Sequence, residues 1–327
     1  GLMIGSDKLD IAVVIPCHRV AGSICDVIAS ITPDIAHIIC IDDACPENSG
    51  DVIDEKYSSD PRVHVIRHGI NKGVGAAVVT GYREALRKGA QIVAKIDGDG
   101  QMDAHQIPRL IALIAAGQAD YTKGNRFYSL ESTATMPLSR IIGNAGMSFL
   151  AKMSSGYWEL FDPANGFTAI HSNVLAVLPL EKLSERYFFE TDMLFRLNTL
   201  RAVVTDIPMP AKYGREKSGL NETHSLLTFP FLHARNFLKR IGYNYFLRDF
   251  NIATLNMVLG LSSLIFGLTF GVASWHAASA ESVLASPGTV MLAGLPIIVG
   301  TQLFLNFLAF DMSNQPSVPI HPRLSRA

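Results

Sequence analysis

The stretch Ile92-Val93-Ala94-Lys95-Ile96-Asp97-Gly98-Asp99-Gly100-Gln101-Met102-Asp103 decides the fold. A short β-branched apolar run breaks abruptly into two carboxylates one residue apart. This is the pattern of a buried parallel strand that ends at the carboxyl edge of a sheet. Two acids so close repel unless a cation joins them. Hard oxygen ligands suit Mg²⁺ or Mn²⁺, and a metal with open positions can hold a diphosphate, so Asp97 and Asp99 are candidate metal ligands. An EF-hand also begins Asp-x-Asp, but its loop needs Gly at position six and Glu at twelve, where this chain has Met102 and Pro108. The competing interpretation is a plain polar turn.

Upstream, the same unit recurs. Ile11 to Ile15 is an apolar run closed by Pro16; a helix pattern spans about Ser23 to Ile31; and the run His37 to Ile41 ends in Asp42-Asp43. This alternation is that of a parallel α/β sheet. Acids at the end of an early strand are placed to accept from a base N–H or a ribose hydroxyl. Alternatively one of them caps the next helix, which starts at Asn48 or Ser49, and one acid is expected in each job. A third strand, Arg62 to Ile66, leads to Asn71-Lys72-Gly73-Val74-Gly75-Ala76-Ala77 and a helix to about Lys88. Glycines at such a junction let backbone approach phosphate at a helix N-terminus. A dinucleotide fingerprint would instead follow the first strand and carry a third Gly in register. Another helix is expected from Asp103 to Ala116.

The 327 residues are 48% hydrophobic with a mean hydropathy of +0.23, which is apolar for a soluble protein. The excess is concentrated. Between Asp249 and Glu281 the only titratable side chain is His276, and between Glu281 and Asp311 there is none, so spans are expected near 252–275 and 287–310. Arg235, Lys239, Arg240 and Arg248 precede the first span, Arg323 and Arg326 follow the second, and the connecting loop has neither Lys nor Arg, which places both termini in the cytoplasm. No signal peptide is read at the start. Cys17, Cys25, Cys40 and Cys45 form no C-x-x-C pair and are expected as reduced thiols. A net charge of −1 argues against a general nucleic-acid binder.

Together, Val-Val-Ile-Pro-Cys at 13–17, Ile-Asp-Asp-Ala at 41–44, Asn-x-Gly-x-Gly-x-Ala from Asn71 and Asp-Gly-Asp-Gly-Gln from Asp97 resemble the family 2 glycosyltransferases, specifically the polyprenyl-phosphate glycosyltransferases. The resemblance covers essentially the entire chain. It implies a GT-A fold, a Rossmann-like, mostly parallel sheet flanked by helices, over residues 1–220. Interfacial amphipathic helices at 221–250, a two-helix transmembrane hairpin at 251–310 and a cytoplasmic tail at 311–327 then complete an inner-membrane protein. It implies base and ribose contacts from Pro16, Asp42 and Asp43, phosphate approach at Asn71, Gly73 and Gly75, and a metal and diphosphate site at Asp97, Asp99 and Gln101. One departure is His18-Arg19-Val20 where many members carry Asn-Glu.

In the acceptor half, Gly124-Asn125-Arg126 offers a cation to phosphate. Asp162-Pro163-Ala164-Asn165-Gly166-Phe167 resembles the family turn beside the sugar. Phe188-Phe189-Glu190-Thr191-Asp192 opens a helix, and Asp192 takes the place of the family's general base. A lipid phosphate, with a second pKa near ~6, needs little deprotonation. Glu190 and Asp192 are therefore expected to orient sugar or acceptor, with base catalysis secondary. Arg215 and Lys217, between Gly214 and Gly219, suit a loop closing on phosphate. From Lys212 to Arg248 there are seven Lys or Arg against two Glu, a positive collar interleaved with aromatics that suits a bilayer surface.

The expected function is inverting, metal-dependent transfer of a hexose from a nucleotide sugar, UDP-glucose or a related donor, to a polyprenyl phosphate. Assembly as a homo-oligomer is compatible with it. Two rivals are a processive polysaccharide synthase, whose Gln-x-x-Arg-Trp motif is missing since neither Trp158 nor Trp275 follows Arg, and a non-catalytic adaptor that binds nucleotide sugar or lipid.

Overall fold

The computed structural model describes residues 3–4, 7–126, 138–209 and 222–324. The chain divides into two compact units, residues 1–237 with 316–327, and residues 238–315.

The first unit is built on a seven-stranded sheet. After a short antiparallel pair, β1 (Met3–Ile4) and β2 (Asp7–Lys8), the sheet strands are β3 (Ile11–Cys17), β4 (His37–Asp42), β5 (Val63–Arg67), β6 (Ile92–Lys95), β7 (Tyr121–Asn125), β8 (Thr168–His171) and β9 (Val204–Pro208). Their order is β5-β4-β3-β6-β8-β7-β9, with β8 antiparallel to both neighbours. Helices α1 (Ile24–Ser30), α2 (Ser49–Tyr57), α3 (Val74–Arg87), α4 (Ile107–Ala115), α5 (Leu138–Ser155), α6 (Ser172–Val177) and α7 (Phe189–Leu200) connect them.

The central strand β3 is buried at nearly every position because both of its faces are covered. Val13 and Ile15 face one core with Ile24, Ile28 and Leu110; Ala12 and Val14 face the other with Val78, Tyr82 and Leu194. Each buried Ile or Leu contributes about 1.5–3 kcal/mol. β3 runs two residues beyond the expected stop. Pro16 pairs with Ile41 of β4 at a level where the ladder to β6, last paired at Val14 and Lys95, has ended, so its missing N–H leaves no gap on that side. The chain winds outward from β3 in both directions, which opens a crevice between β3 and β6 at their carboxyl ends. Because β8 is antiparallel, its first residue Thr168 pairs with Lys95, and the 162–167 turn arrives at the same edge.

The residues after the second apolar helix, from 316 on, pack within the first unit. Asp120, fully buried just before β7, accepts from the amides of Val203, Ile320 and His321 and lies 2.7 Å from His321 Nδ1. His321 stacks on His171 at 4.2 Å, and Asn173 donates to the carbonyls of His321 and Leu324. Burial alone would raise the Asp120 carboxyl, but His321 and the three amides outweigh it and hold it below the usual range. The four thiols are free, as expected.

Helix α8 (Glu222–Ile241) leads into the second unit, where a π-helical turn, Gly242–Arg248, precedes α9 (Ile252–Ala280) and α10 (Pro287–Ser313). Both helices are long and apolar enough to cross a membrane, and they extend a few residues past the expected ends. They approach closely: a Cβ on Gly260 would lie 3.0 Å from Gly300 O, and one on Gly300 would lie 2.8 Å from Gly260 O. Small residues permit such contact between apolar helices. At the foot of the pair, Arg240 donates to both Asp311 oxygens at 2.6 and 2.8 Å, and Tyr245 adds a bond of 2.7 Å, all buried.

Asp120→Ala removes the acceptor from three buried amides, each worth about 1–3 kcal/mol when left unmade. Trypsin should then cut after Arg323 much faster than in the parent chain while the circular dichroism stays unchanged. Equal cleavage rates would show that this carboxylate does not hold the tail.

Candidate active site

The carboxyl edge of β6 gathers the charged groups. Lys95, the last residue of the strand, is buried, and its Nζ lies 2.9 Å from Asp97 Oδ1 and 3.1 Å from Glu190 Oε1 on α7. Burial alone would lower the Lys95 ammonium, but Asp97 and Glu190 overcome that and hold it above an ordinary lysine. Asp97 Oδ2 and Glu190 Oε2 accept no hydrogen bond from a described residue. Asp99 Oδ1 accepts from the Gln101 amide at 3.0 Å, which folds the Asp97-Gly98-Asp99-Gly100-Gln101 turn on itself. Gly166 closes the cluster: a Cβ there would fall 2.5 Å from Lys95 Nζ and 2.9 Å from Asp97 Oδ2.

The turn carrying Gly166 is largely self-satisfied. Asn165 donates to Asp162 and accepts from the Phe167 amide at 2.9 Å, so its side chain serves the turn. Its carbonyl accepts from the buried Lys123 ammonium, which burial pushes down to about 8 against the pull of Glu190 and Asp162. Arg126, expected to meet phosphate, is paired with Asp162 through Nε at 2.8 Å.

At the carboxyl end of β4 both acids are engaged. Asp42 accepts from the amides of Cys45 and Gly50 at 2.8 Å, tying down the start of α2. One acid is expected to be left for the nucleotide, but Asp43 likewise accepts from the amides of Lys72 and Gly73 and from His68 Nδ1 at 2.9, 2.7 and 2.7 Å. It is 2% exposed and shapes the 71–73 loop. Asn71 is exposed, 3.2 Å from His18. Gly73 and Gly75 give way to protein backbone: Cβ atoms there would lie 2.5 Å from Glu185 O and 2.1 Å from Ser184 O, and the Ala76 amide donates to Glu185 O.

Asp192 is equally committed. At 1% exposure, it accepts from the Ser184 amide at 3.0 Å, Arg196 Nε at 3.3 Å and Asn236 Nδ2 at 3.0 Å. A carboxylate held by three donors and shut from solvent positions its neighbours. Glu190, two residues earlier, turns toward Asp97 instead, since residues i and i+2 of a helix face different sides.

Arg215 and Lys217 lie outside the described residues. Among the described residues no three His, Cys, Asp or Glu side chains form a metal cage. That fits a Mg²⁺ or Mn²⁺ held by one or two carboxylates and completed by substrate phosphates and water. Sequence reasoning missed Lys95 and Lys123. Their signal is a lysine inside or ending a strand whose other positions are all buried, which demands a buried counter-charge.

The family model described as Glycosyl transferase family 2 matches residues 12–178, just over half the chain. An undecaprenyl-phosphate mannosyltransferase of Micrococcus luteus is 29% identical over 53% of this chain and 70% of its own length. A UDP-N-acetylglucosamine–dolichyl-phosphate N-acetylglucosaminyltransferase of Methanococcus voltae is 27% identical over 72% of this chain and 97% of its own. Among solved structures, glucosyl-3-phosphoglycerate synthase of Mycobacterium tuberculosis, in complex with Mn²⁺, UDP-glucose and phosphoglyceric acid, shares the fold with a TM-score of 0.54 at 17% identity, covering 72% of this chain and 80% of that one. With a matching sheet, a carboxylate pair at its switch point and relatives that act on polyprenyl phosphates, the chain belongs to glycosyltransferase family 2.

Proposed function

We propose that this glycosyltransferase moves a single hexose from a nucleoside diphosphate donor, UDP-linked, to a polyprenyl phosphate, with inversion at the anomeric carbon. The observation that carries it is the convergence of Asp97, Asp99 and Glu190 on one sheet edge in a chain that also has two helices long enough to cross a bilayer. The relatives' names divide between mannose and N-acetylglucosamine, so the sugar, glucose included, is settled by assay.

Asp97 and Asp99 would hold Mg²⁺ or Mn²⁺, which supplies neutralising charge for the departing nucleoside diphosphate. An oxygen of the lipid phosphate attacks the anomeric carbon from the opposite face; the new O–C bond forms as the bond to the diphosphate oxygen breaks. The acceptor is already anionic at neutral pH, so no protein base is needed. Glu190, the carboxylate at the mouth, orients a sugar hydroxyl. Asp192 holds Ser184 and thereby the loop against Gly73 and Gly75. Asn71 meets the nucleoside beside Pro16, while Asp42 and Asp43 shape its pocket; Gln101 sets Asp99, Asn165 sets Gly166, and Arg126, Arg215 and Lys217 serve phosphate.

The two apolar helices anchor the enzyme in the inner membrane. The tail packs within the catalytic unit, so both outer ends of the hairpin belong on one face, and the basic residues before and after it make that face cytoplasmic.

The full chain in detergent with Mn²⁺ should release nucleotide from one of UDP-glucose, UDP-N-acetylglucosamine or GDP-mannose only when undecaprenyl phosphate is present, giving a lipid-linked monosaccharide. Donor binding without turnover would support the adaptor, and products longer than one sugar a processive synthase. Asp99→Ala should lower kcat about 10²–10³-fold.

Glu190→Gln should fold normally and lower kcat about 10²-fold. Asp192→Asn should instead lower the melting temperature while the folded fraction keeps kcat within a few-fold. Collapse of kcat with unchanged stability in Asp192→Asn would make that residue the base.

A further inference from the structure

Lys95 places a fixed positive charge where a divalent cation is expected to bind, on a carboxylate that would be its ligand. The ammonium is 1% exposed, so bulk water does not screen it or replace it. Its two anionic partners stand at nearly equal distances, 2.9 Å for Asp97 and 3.1 Å for Glu190, and they come from different parts of the chain. The backbone of Lys95 is paired on both sides, to Val14 of β3 and Thr168 of β8, so only the side chain is free to adjust. Room for adjustment exists because residue 166 has no Cβ; one would sit 2.5 Å from Nζ. Each carboxylate also keeps one oxygen clear of hydrogen bonds from described residues.

We propose that Lys95 is a resident counter-cation that neutralises Asp97 before the divalent cation binds and withdraws onto Glu190 when it arrives. This rests on the assignment of Asp97 and Asp99 as metal ligands. Lys95 is then a positioning residue. It keeps the two carboxylates from repelling each other across an empty site, it weakens metal binding in the absence of donor, and it ties the charge state of Asp97 to the setting of Glu190. An ammonium has three donors and no directional preference among them, so it can pass from a shared to a single carboxylate without a proton moving. Binding a dication at Asp97 repels the ammonium through low-dielectric surroundings, and Glu190 is the anion that receives it. The affinity for metal alone is thereby kept low, and the donor diphosphate supplies the missing negative charge.

The test is a titration of the full chain in detergent with Mn²⁺ and no donor, reading free Mn²⁺ by electron paramagnetic resonance. Lys95→Gln should bind Mn²⁺ about tenfold more tightly, because the competing charge is gone. Glu190→Gln should bind it about tenfold more weakly, because the ammonium is left on Asp97 alone. Lys123→Gln is the control for a general field effect: among the described residues its ammonium has no carboxylate within ion-pair distance, its contact being the Asn165 carbonyl, and the affinity should change less than about twofold. Melting curves establish that each variant is folded, and the opposite signs of the Lys95 and Glu190 effects are not what generic loss of structure produces. Unchanged or weaker binding in Lys95→Gln, unchanged binding in Glu190→Gln, or equal tightening in Lys123→Gln overturns the proposal while leaving the metal site intact. Absence of Mn²⁺ binding in the parent chain, with and without UDP-sugar, overturns the metal assignment and the proposal together.

Discussion

One buried ammonium sets the geometry of the site. Lys95 reaches the sheet edge with no solvent around it, so it must be matched by anions, and the chain supplies Asp97 from the same turn and Glu190 from a helix almost a hundred residues on. Removing both anions would leave charge without a partner in a low-dielectric interior, which is among the costliest defects a fold can carry. The requirement fixes where α7 begins relative to β6. It also explains why the residue before Phe167 is glycine, since a Cβ there would meet the ammonium.

A second series of contacts runs outward from the carboxyl end of β4. Asp43 gathers the amides of the 71–73 loop; Gly73 and Gly75 accept the backbone of Ser184 and Glu185; Asp192 holds the Ser184 amide; and Asn236 on α8 holds Asp192. Each link is a buried carboxylate or a backbone contact too close for a side chain. Such links are short and stiff, and they join the carboxyl end of β4 to α7 and α8 without passing through the Lys95 cluster.

Much of this architecture was legible in the chain itself. Strands buried on both faces read as uninterrupted apolar runs, as at Ile11 to Ile15 and His37 to Ile41, and the two apolar helices stand out because more than twenty residues pass without a fixed charge. The Asp97 and Asp99 pair was legible for the same reason: acids at the end of a buried strand have to be exposed on its edge. What spacing does not encode is which of two similar groups faces inward. Glu190 and Asp192 share a helical turn, and only packing against Lys95 on one side and Asn236 on the other separates the open carboxylate from the committed one. Likewise Gly-x-Gly before a helix announces a close approach but not what approaches. Here it is Ser184 and Glu185. The docked tail was hidden because its partner, Asp120, lies 200 residues away and has no local signature.

The place of that tail has a bearing on biogenesis. Asp120 is made early, and two of its donors, the amides of Ile320 and His321, are made only after both apolar helices. Domains ordinarily fold as units, amino-terminal first, during synthesis. Here the first unit is discontinuous in sequence, and Asp120 lacks its tail donors until both apolar helices have been made and the chain has returned. A chain that stops within either span therefore yields a head whose buried carboxylate keeps only the Val203 amide, with the His321 and Ile320 donors missing.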